Sequence, residues 1–454
     1  MNVIKMNVIK MGVIRLEYIW VGGNSELRSK VKVEYVYDLD KWILNDNIEK
    51  IPIWNFDGSS TNQATGHNSE VIIKPCKLYH NSYSKGFDKS YYVICDTYTP
   101  EMKPHPTNTR FKADLSFLKN LDEKPLFGIE HEFFVLDEKS KRPLGFELED
   151  PPQQGPYYCS VGCGNAKGRK FLDECLSEAV ITGIKVTGSN LEVCPGQMEI
   201  QICNYGIDAG DDSLMLKYLL SKIGETHGYI IEWNAKPLKG DWNGSGCHVN
   251  FSTEKMRAEN GYSEIMNAIW NLSERHQEHI EIYGDDNFNR LTGNHETSDI
   301  NNFTYGLADR GCSIRIPKST FMNLKGYFED RRPSSSCDLY LVTSKIFETS
   351  TNNKKIREAI LEIVPDMTLT LTNEKIWKFG VKVKSGTLRV GMKVNSSYMN
   401  NLEQQEFGYI VSMKLDTKKC SIGHQGTKYS IEIENFKDNN KKIDLENIDN
   451  LICN

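Results

Sequence analysis

Apolar and polar residues alternate along "EYIWV" (17–21), "KVKVEYVY" (30–37), "EVIIKP" (70–75) and "YYVICDTY" (91–98). A period of two puts one face of a strand on a core and the other in water, and the Gly, Asn, Asp and Pro residues between the runs end each strand. Residues 16–110 are therefore expected to form a small mixed β domain. Between 111 and 365 the pattern changes. "FGIEHEFFVL" (127–136), "GYIIEWNA" (228–235) and "GCHVNFS" (246–252) are strand-like, whereas 170–182, 210–227 and 260–283 carry apolar residues at helical spacing. This is an α+β domain of catalytic size. After Pro365 short alternating runs return ("KFGVKVKSG", "RVGMKV", "EFGYIVSMKLD"), predicting a separate small all-β domain over 366–454, of SH3-like barrel size.

The first fifteen residues, "MNVIKMNVIKMGVIR", are three near-copies of one pentad, each closed by Lys or Arg. These basic residues interrupt the apolar stretch that a secretory signal needs, so 1–15 are expected to be a repetitive extension, with a targeting role as the alternative. A length of 454 residues allows two or three domains and a large core. The net charge of -6 argues against a nucleic-acid partner, which requires clustered Lys and Arg excess. No apolar run reaches the roughly 20 residues of a membrane helix, so no membrane partner is expected. Twelve cysteines lie scattered without a C-x-x-C pair. In a chain this long they read as reduced thiols of a cytoplasmic protein, Cys159 and Cys163 included as core or loop thiols.

"GIEHEF" (128–133) raises a chemical question, because strand alternation points Glu130 and Glu132 to one face and His131 to the other. Two carboxylates so placed repel unless a cation lies between them. "NLEVCPGQMEIQI" adds Glu192 and Glu199 around a Pro-Gly turn, with Gln201 on the face of Glu199. "GYFEDRRP" adds Glu329 beside Arg331 and Arg332, and "GSGCHVNFS" adds His248. Each alone reads as an ordinary surface or structural residue. Five carboxylates and an imidazole together make an oxygen-rich ligand set suited to Mg²⁺ or Mn²⁺. Arg290, Arg310 and Arg315 add cations, the last two forming a candidate fork for phosphate oxygens, with surface ion pairing as the plain alternative. No P-loop is present, and the Gly-rich "VGCGNAKGR" lacks the β-α-β setting of a dinucleotide fingerprint. The combination points to nucleotide chemistry without a P-loop.

Eight blocks in order, "WNFDGSSTNQATGHNSE" (54–70), "GIEHEF", "GPYYCSVG", "GSNLEVCPGQMEIQ", "WNGSGCHVNFS", "RLTGNHETS", "RGCSIRIP" and "GYFEDRRPSSSCD", resemble glutamine synthetase of the eukaryotic type. The resemblance covers residues 16 to about 350; 366–454 fall outside it. It implies a β-grasp-like N-terminal domain and a catalytic domain whose curved antiparallel sheet forms a funnel. The implied reaction is ATP-dependent ligation of ammonia to L-glutamate through γ-glutamyl phosphate, with two or three Mg²⁺ or Mn²⁺ ions per site. By resemblance, Glu132, Glu192 and Glu199 hold the ion nearer glutamate, and Glu130, His248 and Glu329 hold the ion on the ATP side. Trp242, Asn243, Gly244, Arg290, Arg310 and Arg331 bind glutamate. Glu130, Gln201, Asn250, Phe251, Ser252, Arg310, Arg315 and Tyr327 bind the nucleotide. Asp57 accepts the ammonium proton, Glu296 closes over the site, Tyr158 helps to bind ammonium and Arg310 assists phosphoryl transfer. In this family Asp57 reaches the site of a neighbouring subunit, which implies a homo-oligomer of two stacked pentameric rings.

The chain departs from the family pattern in places. "DWNG" places Asp241 beside the glutamate residues, "EIQICN" brings Cys203 and Asn204 to the expected lip of the nucleotide pocket, and Leu126 stands where an aromatic is common. Two rival readings are a related ligase that adds a larger amine, and a catalytically silent relative that keeps the ring. All six metal ligands are present, against the second. The domain at 366–454 is open to an interaction partner of its own.

Overall fold

The computed structural model describes residues 11–37, 39, 42, 48–83 and 85–351, and beyond these only the backbone of strands between 359 and 453. The first two pentads lie outside the described residues. The third does not extend away from the fold: strand β1 (Gly12–Val21) takes in its last four residues, and Ile14 is fully buried, pairing with Glu34 on one side and Lys89 on the other. The apolar pair in "GVIR" explains this, because in β1 it continues the alternation of the strand that follows.

The chain divides into two compact units. The first runs to Cys247 and includes Ile282–Asp286 and Ser334–Lys345; the second comprises His248–Glu281, Asn287–Pro333 and the chain from Ile346 onward.

In the first unit, β1, β2 (Leu27–Val36), β3 (Trp54–Asp57), β4 (Glu70–His80) and β5 (Lys89–Tyr98) form a sheet in the order β2-β1-β5-β4-β3, antiparallel except between β1 and β5. Alternation along β1 sends Leu16, Tyr18 and Trp20 into a core with Phe56, Val71 and Ile73, where the Trp20 and Phe56 rings stack at 4.5 Å. A second sheet contains β6 (Leu126–Asp137), β7 (Val186–Leu191), β8 (Gln197–Tyr205) and β9 (Tyr229–Glu232), with β6 between β8 and β9 and β7 outside β8.

Helix α1 (Thr109–Leu118) starts at Asn108, whose side chain accepts from Phe111 N at 3.0 Å. Helix α2 (Arg169–Thr182) ends on Gly183 in the left-handed region. Helix α3 (Gly206–His227) buries Ala209, Leu216, Leu219, Leu220 and Ile223, the stripe that a 3.6-residue repeat produces. Burying each leucine contributes about 1.5–3 kcal/mol. This helix also fixes the back of β6, since His131 bonds Ser213 Oγ at 3.1 Å.

In the second unit, β10 (Cys247–Ser252), β11 (Tyr305–Leu307), β12 (Ile314–Ile316) and β13 (Phe328–Asp330) are arranged β11-β12-β13-β10. Helix α4 (Tyr262–Glu274) buries Ile265, Met266, Ile269 and Leu272. From 359 onward, β14 (Ala359–Ile363), β15 (Thr370–Asn373), β16 (Ile376–Ser385), β17 (Lys393–Tyr398), β18 (Asn401–Leu415), β19 (Lys428–Asn435) and β20 (Ile448–Cys453) pair in the order β14-β20-β17-β18-β19-β16-β15. Strand β14 also pairs with β16, and every pairing is antiparallel. The all-β segment thus includes 359–363, upstream of the break read at Pro365.

Candidate active site

In the first unit the register of β6 on β8 sets Glu132 directly opposite Glu199 and Glu130 opposite Gln201. Glu192 follows the last residue of β7, and its Oε1 accepts from Asn190 Nδ2 at 2.8 Å. Burial and the neighbouring acids push the Glu199 carboxyl up to about 9 and Glu192 up to about 8. Four carboxylates on one sheet face in partial burial thus demand positive charge, which a hard divalent ion with oxygen ligands satisfies. His131 lies on the opposite face, buried against α3, and burial lowers its pKa to about 3, so it contributes no ligand to this face.

The turn between Glu192 and Glu199 is narrow. Glu192 N donates to Gln197 O at 3.0 Å, and Gly196 holds φ 77°, where a Cβ would stand 2.7 Å from Leu144 N. Glycine is therefore required at 196. Glu132 Oε2 accepts from Gly246 N at 2.8 Å and from Gln197 Nε2 at 3.0 Å. Gln201 Nε2 donates to Glu199 Oε1 at 2.6 Å, so its amide serves the acidic face.

The first unit holds other expected residues as well. Asn243 Oδ1 accepts from Gln154 Nε2 at 3.3 Å, and Gly244 O accepts from Gln197 Nε2 at 3.1 Å. The Trp242 ring is buried in a core cluster with Phe134, Phe146, Tyr157 and Cys194, which leaves its backbone for any contact with glutamate. Tyr158 is exposed, and the next residue ties its loop to the end of β7, where Cys159 N donates to Leu191 O at 3.0 Å. Asp57 ends β3 and is exposed; its oxygens accept from Ser59 N, Ser59 Oγ and Ser60 Oγ at 3.1, 2.7 and 2.8 Å. The serine hydroxyls and the Ser59 N–H pull its pKa down to about 2.

In the second unit Glu329 sits on β13 between β10 and β12, in register with Asn250 and Arg315. It is 2% exposed. Its Oε2 accepts from Arg315 Nη1 at 2.7 Å and its Oε1 from Arg331 Nη1 at 2.5 Å, with His248 Nδ1 at 3.7 Å from Oε1. Arg315 is thus turned to Glu329, while Arg310 occupies the exposed turn before β12, so the two do not form the simple fork expected from their spacing. Arg331 Nε donates to Arg310 O at 3.0 Å and Nη2 to Glu296 O at 3.2 Å. The Glu296 loop carries three left-handed residues, Gly293, His295 and Glu296, and a non-glycine residue in that conformation at a functional loop is strain held by its surroundings. Arg290 is buried, and its Nη2 donates to the carbonyls of Arg331, Arg332 and Pro333, so this guanidinium is fixed before any substrate arrives.

Phe251 also turns its ring inward. It is fully buried and packs edge-on against Phe328 at 5.6 Å, so its ring belongs to the core and leaves only backbone for a nucleotide. Ser252 O and Oγ accept from Arg257 Nη1, and the Tyr327 ring is exposed. The Asn204 amide donates to Asp212 Oδ2 on α3 at 2.8 Å. The Asp241 carbonyl accepts from Gln154. The ten described cysteines are free, and both Cys159 and Cys163 are exposed in loop, not core.

Sequence reading missed Gln197, Gln154 and Ser335, whose hydroxyl donates to Glu132 O. Nothing in their spacing marks a polar residue that serves another side chain.

Clustered acids beside ordered amides, together with a buried glutamate bracketed by arginines, are the equipment of an enzyme that handles anionic substrates with divalent ions. Residues 109–281 match the family model for the glutamine synthetase catalytic domain. The chloroplastic/mitochondrial glutamine synthetase of Arabidopsis thaliana is 46% identical over 339 residues, covering 74% of this chain and 77% of the relative. Glutamine synthetase PR-1 of Phaseolus vulgaris is 46% identical over 340 residues (74% and 93%), and the cytosolic isozyme 1-1 of Oryza sativa subsp. japonica is 44% identical over 339 residues (74% and 93%). The chain belongs to the glutamine synthetase family.

Proposed function

We infer that the chain is a glutamate–ammonia ligase, making glutamine from glutamate and ammonia with ATP, and that it works through γ-glutamyl phosphate. Family membership supports the reaction. The observation that carries the site assignment is the acidic face of β6 and β8, where Glu132 and Glu199 stand in register and Glu192 joins them.

Glu132, Glu192 and Glu199 would hold one Mg²⁺ or Mn²⁺ ion, and Glu130, His248 and Glu329 a second. Such ions, when bound, neutralise the approaching γ-carboxylate and ATP phosphates. Arg310 and Arg315 bind the phosphates, and Arg290, Arg331, Asn243 and Gly244 orient glutamate. Asn250, Ser252 and Tyr327 serve the nucleotide, with Gln201 acting through Glu199. Asp57 draws ammonium to the acyl phosphate. With its carboxyl held near 2 by Ser59 and Ser60, it is better suited to hold the cation than to take its proton. Tyr158 assists it and Glu296 closes the site. Asp57 acts in a neighbouring copy, in two stacked pentameric rings, and the enzyme is cytoplasmic. The β-grasp-like sheet and the funnel are the family architecture for this arrangement. Residues from 359 onward form a small barrel-like domain that takes a partner of its own.

ADP release measured in a coupled assay tests the reaction. It should require both glutamate and ammonium; release only with a larger amine would reassign the chain to a related ligase.

A further inference from the structure

Gln197 is the first residue of β8 and is buried. Its Nε2 donates to Glu132 Oε2 at 3.0 Å and to Gly244 O at 3.1 Å. Its backbone carbonyl accepts from Glu192 N at 3.0 Å, and its own N–H donates to Cys194 O at 3.0 Å. One residue therefore touches two of the three glutamates assigned to the glutamate-side ion, and also the loop assigned to glutamate.

An amide nitrogen carries two N–H groups, and here they are divided between a carboxylate and a carbonyl. The carboxylate oxygen it meets also accepts from Gly246 N at 2.8 Å, so Glu132 is held from two directions. The other end of the amide, Gln197 Oε1, is buried with no hydrogen-bond partner. A side chain retained only for packing would not carry an orphaned acceptor, because an apolar residue of similar volume fills the space without it.

We propose that Gln197 is a positioning residue: it holds Glu132 as a ligand and, through Gly244, couples that ligand to the glutamate-binding loop. The proposal rests on the assignment of Glu132, Glu192 and Glu199 to a divalent ion. Partners that orient a metal ligand through hydrogen bonds change metal affinity by about 10–100-fold. A carboxylate released from Gln197 keeps its bond from Gly246 N but is less well oriented and binds the ion less well, and the Gly244 loop loses its bond to Gln197 at the same time.

The test is Mn²⁺ binding to the full-length protein without nucleotide, followed by the EPR signal of free Mn²⁺, together with steady-state KM values. Gln197→Met should weaken Mn²⁺ binding at least about tenfold and raise KM for glutamate, while KM for ATP and the circular dichroism spectrum stay unchanged. Gln197→Glu, which keeps the size but removes the donor, should weaken binding likewise. Wild-type Mn²⁺ affinity in Gln197→Met, with Glu132→Ala impaired, overturns the proposal alone. Wild-type affinity in Glu132→Ala overturns the ion assignment and the proposal with it. If neither Gln197 variant folds, the residue is a packing requirement and the proposal falls.

Discussion

Glu132 and Glu199 face each other across antiparallel strands, the one arrangement in which two like charges on a sheet are closest. Asn190, Gln197, Gln201 and the Gly246 amide surround the acidic face with hydrogen-bond donors, but amides supply no net positive charge. The repulsion is therefore kept in the fold and relieved only by a proton or a cation.

That relation predicts opposite effects of one substitution with and without metal. Glu199→Gln keeps the shape and removes the charge. At pH 9 without metal, the variant should melt at or above the wild-type temperature, since a like-charge pair is gone. With saturating Mg²⁺ the wild type should gain several degrees by mass action and the variant markedly less, with activity lost. Differential scanning calorimetry in the two buffers checks both signs; an equal gain from Mg²⁺ would contradict the ligand assignment.

Asp57 gives a separate expectation. It is exposed, and its described bonds come from nearby serines, Ser59 and Ser60 among them, so Asp57→Asn should still fold. Losing a charged hydrogen-bond partner for ammonium should cost about 10- to 100-fold in kcat/KM for ammonium, with KM for ATP unaffected. A carboxyl held near 2 is ionised throughout the working range, so any acid limb of the rate profile above pH 4 belongs to another group. A limb that vanishes in Asp57→Asn would contradict this.

Residues near in sequence were legible, and residues assembled by the fold were not. Alternation in "GIEHEFFVL" correctly divides Glu130 and Glu132 from His131, because a strand's period is geometric. The family blocks supply the candidate ligands for the same reason: each is a local string. Trp242 and Phe251 show the limit, since adjacency to site residues says nothing about which way a ring turns, and both turn into a core. Gln197, Gln154 and Ser335 were invisible because their roles depend on partners 47 or more residues away. The third pentad was misread because repetition hid an ordinary strand pattern at Val13–Arg15.

Glu17 predicts the acid behaviour of the first unit. This buried carboxylate on β1 accepts from Lys222 at 2.5 and 2.7 Å, Tyr218 at 2.5 Å, Arg15 at 2.6 Å and Asn81 at 3.2 Å. Burial pushes its pKa up, but the bonds from Lys222, Tyr218 and Arg15 outweigh it, and the net shift is downward. A carboxyl depressed in the folded state contributes stability that is complete above its unfolded value near 4.5 and is lost as pH falls below it. Glu17→Gln should cost roughly 1–3 kcal/mol at pH 7, below the range for fully buried pairs because Lys222 and Arg15 stay partly exposed. Urea midpoints at pH 7 and pH 3.5 should show the gap between variant and wild type narrowing in acid; a constant gap would mean packing, not charge, sets the cost.

Among the described residues, the strands from 359 onward hydrogen-bond with one another and with no strand before 351. Ending the chain at Thr351 therefore breaks no strand pairing in the rest of the described structure, and the relatives match 74% of the chain. A segment whose strands pair among themselves can be removed without breaking a sheet elsewhere. The truncated protein should keep kcat/KM for glutamate and ammonium within about twofold and lose only what the module itself binds. Steady-state assays of both forms, with sizing chromatography to compare assembly, check this. A tenfold loss of activity at unchanged assembly size would show that the module acts on the catalytic site, and would turn the search from its partners to its contacts with the enzyme.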